Sequence, residues 1–87
     1  MHEKSIMDHL INKIIQLAEV ERAAKVTKIS VKLGALSHMS AEHFKEHFDE
    51  AAKGTIAQDA EIETEESQDI HDPSAMTVVL KSIDVAN

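Results

Sequence analysis

Two periods take turns along the chain. From Ser5 to Arg22, apolar residues return at helical spacing: Ile6, Leu10, Ile14 and Leu17, with Met7, Ile11 and Ala18 widening the stripe. An amphipathic helix is predicted there. Ser5 is placed to cap it, with Asp8 three residues on as an approximate reciprocal acid. That cap would leave residues 1–4 outside the helix, as an arm at its positive end. From Lys25 to Leu33 the period drops to two. Ile29, Val31 and Leu33 alternate with Ser30 and Lys32, the mark of a strand with one buried face. Gly34 ends that strand and 34–39 reads as a turn.

Ser40 is placed to cap a second helix running to about Lys53, with a stripe of Ala41, Phe44, Phe48, Ala51 and Ala52 and with Gly54 just past its end. Alternation around Ile62 predicts a second strand over Ala60–Glu65. The polar, proline-containing stretch 66–75 reads as an exposed connector. Thr77–Val85 reads as a third strand. Its apolar residues Val78, Val79, Leu80, Ile83 and Val85 do not keep one parity, so a bulge or burial on both faces is expected. The expected fold is α+β, in the order α-β-α-β-β, with two helices on one face of a three-stranded mixed sheet. The first two strands, joined through a helix, should be parallel. The last two should form an antiparallel hairpin. Residues 1–87 are read as one domain.

Composition narrows the chemistry. The net charge is −7, from 16 acidic and 9 basic residues, and there is no Tyr or Trp. Phosphate backbones would be repelled and bases would find no stacking platform, so nucleic acid is not an expected partner. Apolar runs of four residues or fewer span no membrane, and Met-His-Glu-Lys-Ser does not open like a signal peptide. A cytoplasmic address is expected. The chain has no cysteine, which removes disulfides and thiolate metal sites. It also removes a cysteine nucleophile. The carboxylates of Glu61–Glu66 fall on an exposed strand face, and so short a chain has little room for a deep pocket. No enzymatic activity is expected.

The candidate chemistry lies at Met1-His2-Glu3. A free α-amine, the next backbone amide nitrogen and the His2 imidazole can close chelate rings on one cation. Such a nitrogen set suits Ni(II) or Cu(II) better than Mg or Ca. The donors must lose their protons, so binding should weaken in acid. Spacing alone does not separate this from an ordinary solvated terminal histidine.

Longer blocks carry more information. Met1-His2-Glu3-x-Ser5 is followed by Val26-Thr27-Lys28-Ile29-Ser30-Val31-Lys32-Leu33-Gly34-x-Leu36-Ser37. Then come Ala51-Ala52-Lys53-Gly54-Thr55-Ile56-Ala57, Ala60-Glu61-Ile62-Glu63 and Leu80-Lys81-Ser82-Ile83-Asp84-Val85. In this order they resemble the nickel-binding domain of the HypA/HybF family of hydrogenase maturation proteins. The resemblance implies a nickel metallochaperone. It implies Ni(II) held by the Met1 amine, by the His2 amide and side chain, and through Glu3. It also implies transfer to a hydrogenase large subunit, in some relatives urease, with a HypB-type GTPase as partner. A monomer or weak homodimer is expected. The chain departs from the family at one place. Relatives insert a zinc domain with two Cys-x-x-Cys pairs between the second and third strands, where this chain has only the connector. No structural zinc is expected, and an adaptor that has lost metal delivery is the rival reading.

Five further histidines could bind metal. His9, on the first helix, could add a ligand only if the arm folds back. His71 could do so if the connector folds over the N-terminus. His43 and His47 share a helix face, which beside Phe44 and Phe48 is expected to face water, and His38 sits in a turn.

Overall fold

The computed structural model describes residues 3–87. Lys25–Leu33 (β1), the strand with the strongest apolar alternation, takes the centre of a three-stranded sheet. Glu61–Glu66 (β2) pairs with it in parallel, Ile29 opposite Ile62. Val78–Ala86 (β3) pairs with it antiparallel on the other side, Leu33 opposite Val78 and Val26 opposite Val85. Two helices, Glu3–Val20 (α1) and Ala41–Ala52 (α2), complete the α-β-α-β-β order. They cover one face, α1 over β3 and α2 over β2, and touch each other.

The expected hairpin between the last two strands does not form, because both pair with β1. The physical reason is composition. Val26, Ile29, Val31 and Leu33 are fully buried and need cover on both flanks. β2 reads Glu-Ile-Glu-Thr-Glu-Glu, which is tolerable only at an edge, where charge also discourages strand addition. The link from Ser67 to Thr77 is long enough to cross to the far edge.

β3 resolves its parity conflict with a bulge. Ser30 pairs with Ser82 and Val31 with Leu80, so Lys81 is passed over. Val78, Leu80, Ile83 and Val85 then all line up with core-facing residues of β1, while Val79 falls opposite Lys32. A second irregularity skips Thr27, whose hydroxyl donates to the Asp84 carbonyl at 3.2 Å.

In α1 the buried stripe is Met7, Leu10, Ile11, Ile14 and Ala18. Leu17, expected within it, is 40% exposed, at the border of the apolar arc. Ser5 is not the cap: α1 begins at Glu3. Glu and Lys are good helix formers and an acid suits the first turn, so nothing halts the helix at Ser5. Glu3 and Lys4, expected in the arm, therefore belong to the helix, and Met1 and His2 lie outside the described residues. In α2 the expected cap is present. Ser40 is extended (φ −80°, ψ 163°) and its hydroxyl accepts from the His43 N–H at 3.1 Å. Phe44 and Phe48 stack with centroids 5.8 Å apart in the core.

The connector is only partly exposed. Ser67 N–H donates to Leu33 O at 2.9 Å, and Leu36 N–H to Ala75 O at 2.7 Å. Ala75 is buried. Gly34 permits this approach: a Cβ there would lie 2.6 Å from the Ser74 carbonyl oxygen and closer still to that of Ala75.

Candidate metal centre

The sheet register fixes which end of the molecule matters. β1 and β2 end, and β3 begins, at Leu33, Glu66 and Val78. Thr77–Leu80 share a groove with Ser5, Ile6 and His9 of α1. α2 starts seven residues after Gly34. Both helices therefore begin at this end, and the connector closes it.

The expected ligands fall as follows. Met1 and His2 lie outside the described residues. Glu3 opens α1, so its backbone nitrogen belongs to the first turn, whose N–H groups have no intrahelical acceptor. His9 is exposed, two turns into α1. At about 1.5 Å per residue it sits roughly 9 Å along the axis from Glu3. The two are not brought together by the helix. His71 is exposed in the connector, its backbone N–H donating to Asp69 Oδ1 at 2.9 Å. It shares the end at which α1 begins. His38 is exposed with a left-handed backbone (φ 57°). His43 and His47 do not face open water as expected: both are half-buried, with ring centroids 4.5 Å apart. Among the described residues, no three or more His, Asp or Glu side chains gather where one metal ion could sit.

The outer face of the sheet is occupied by its own charges. Lys28 meets Glu63 at 3.0 Å, and Ser30 donates to Glu63 at 3.3 Å. Lys81 reaches Glu65 at 2.8 Å. Lys32 meets Asp72 of the connector at 2.6 Å, and Asp72 also accepts from the Ser74 N–H at 2.8 Å. The Lys28 bond and charge hold Glu63 below the ordinary carboxylate value, with Ser30 helping. Lys81 does the same for Glu65. The Lys32 bond, then the Ser74 amide, lower Asp72, and Lys32 is raised in return. These acids are paired, and among the described residues the face offers no preformed cation site. The Lys32–Asp72 contact, which ties connector to sheet, was not foreseen. Its only trace was a lysine on the outward parity of β1 and an acid beside the proline.

The fold matches a solved one. The chain superposes on the solution structure of the Ni metallochaperone HypA from Helicobacter pylori with a TM-score of 0.79, covering 99% of this chain and 98% of that one at 17% identity. By sequence, residues 1–71 match the profile described as HypA, hydrogenase/urease nickel incorporation, metallochaperone. The chain belongs to the HypA family. It is 36% identical over 62 residues to the hydrogenase maturation factor HypA of Caldanaerobacter subterraneus, covering 71% of this chain and 54% of that protein. It is 42% identical over 62 residues to that of Prosthecochloris aestuarii, covering 71% and 55%. The chain thus spans about half the length of these curated relatives. Among the described residues no helix is long and apolar enough to cross a membrane.

Proposed function

We propose that this chain is a nickel metallochaperone without enzymatic activity, binding Ni(II) through the Met1 α-amine, the His2 amide nitrogen and imidazole, and Glu3. The metal goes on to a [NiFe]-hydrogenase large subunit or to urease, with a HypB-type GTPase as partner, in the cytoplasm. The observation that carries this reading is the family match over residues 1–71, which takes in the whole Met1-His2-Glu3 start. The chemistry is consistent with it. An amide nitrogen at the head of a helix gives up no helical hydrogen bond when it binds a metal. The positive end of α1 disfavours a bare dication but favours the deprotonated, anionic amide that planar nickel requires. We further propose that the connector stands where relatives insert their zinc domain, and that residues 1–87 act as one domain.

The test is nickel titration by calorimetry of the chain with its native start, beside His2→Ala and a form extended ahead of Met1. One tight Ni(II) per chain, lost in both altered forms, is expected. Tight binding unchanged in both rejects this site. No tight nickel binding by the native chain favours the adaptor reading.

A further inference from the structure

We propose that His43 and His47 form a second transition-metal site, on α2, which takes Ni(II) or a similar borderline divalent ion through two imidazoles. The residues stand four apart, which places both rings on one helix face. Their centroids are 4.5 Å apart with the planes tilted by 52°. Two imidazoles bound side by side on one ion, with metal–nitrogen bonds of about 2.0–2.1 Å, hold their centroids roughly 4.5–5 Å apart. The observed centroid separation falls within that range.

Their surroundings fit the role. Both residues are half-buried, each next in the chain to a fully buried phenylalanine, Phe44 or Phe48, and partial burial lowers the ordering cost of binding an ion. α2 carries Glu42, Glu46, Asp49 and Glu50 against a single lysine, Lys45, a field that attracts cations. Imidazole nitrogen selects nickel, zinc or copper over magnesium and calcium. With two protein ligands the remaining coordination positions stay with water or an incoming donor, so the ion is held loosely enough to move on. The pair occupies the third and seventh positions of α2, a helix that begins at the end of the molecule where α1 begins. This site does not rest on the terminal chelate, and the two fail separately.

The experiment uses the full chain extended ahead of Met1, which disables the α-amine. Nickel sulfate is added in sub-stoichiometric steps, and the imidazole resonances of His9, His38, His43, His47 and His71 are followed by NMR. Selective broadening of His43 and His47 is expected at the first additions. In His47→Gln the His43 signal should then lose most of that response, with circular dichroism confirming that the helix is intact. Uniform broadening of all histidines overturns the proposal, because it marks adventitious binding. So does a His43 response unchanged in His47→Gln. Should the variant unfold, the pattern in the unmutated extended chain decides alone.

Discussion

Replacing Gly34 by alanine tests how the connector is seated. The added methyl would sit 2.6 Å from the Ser74 carbonyl oxygen and nearer still to the Ala75 carbonyl. Ordinary contact needs about 3.4 Å or more, so backbone on both sides must separate by close to 1 Å, and neither side is a flexible side chain. The bonds that hold them, Gly34 N–H to Thr77 O at 3.0 Å and Leu36 N–H to Ala75 O at 2.7 Å, would stretch or break. Overpacking of this kind costs about 1–3 kcal/mol. A chain of 87 residues has about 4–13 kcal/mol in all. With a urea slope near 1 kcal/mol per molar, the midpoint should fall by about 1–3 M. Gly54→Ala is the control. There nothing lies within 4 Å, but φ is +80°, so the cost is backbone strain alone, about 1 kcal/mol. The assay is urea unfolding followed by circular dichroism. Amide exchange at Leu36 should also quicken in Gly34→Ala and not in Gly54→Ala. An unchanged midpoint in Gly34→Ala, or equal exchange at Leu36 in both variants, would refute the close seating of the connector.

Phe48→Ala removes a fully buried ring from the α2–sheet core and should cost about 3–5 kcal/mol, enough to leave a large share of the chain unfolded at 37 °C by thermal melt. Ser40→Ala removes the oxygen that accepts from the His43 amide and should lower stability by about 0.5–2 kcal/mol, with Ser40→Asp restoring it. Asp72, Glu63 and Glu65 have folded-state pKa values below the ordinary 3.8 and 4.5. Their pairing thus stabilises the fold above those ordinary values and is lost as pH falls through the lowered folded values. The urea midpoint should drop between pH 5 and pH 2, and Asp72→Asn should flatten part of that drop. An acid limb identical in Asp72→Asn would show that the Lys32 contact contributes nothing.

Much of the fold is legible in the chain because each element carries its own local signal. β1 declares itself by alternation, with its bounds Lys25–Leu33 recovered as read. α2 declares itself through Ser40, the two phenylalanines and Gly54. The bulge in β3 was foreshadowed by five apolar residues that no single parity could bury. The parallel pairing of β1 with β2 was legible from the helix that joins them, but the partner of β3 was not, because it is decided between strands. Which neighbour β3 takes depends on how exposed the flank of β1 is and how poorly β2, four of whose six residues are glutamate, would serve as a centre. The start of α1 escaped because Ser5 is a good cap whether or not the helix uses it, and Glu3 and Lys4 continue a helix as readily as they leave one. At the candidate centre, the Met1-His2-Glu3 triplet drew its weight from the longer blocks that accompany it, not from its own spacing. The half-burial of His43 and His47 was not legible, since a one-dimensional stripe does not reveal how far packing reaches around a helix.

The number of protons released when nickel binds at pH 7 separates the terminal chelate from every imidazole-only alternative. An α-amine of pKa about 7.7–8.0 gives up most of one proton, a backbone amide gives up a whole one, and an imidazole near pKa 6.5 about a quarter, so roughly two protons per Ni(II) are expected from the native-start chain. Calorimetry in buffers of different ionisation enthalpy reads that number directly. A value near two, falling below one when residues are added ahead of Met1, is the expected result. Release of half a proton or less from the native-start chain would mean that imidazoles alone hold the metal and that the first atoms of the polypeptide take no part.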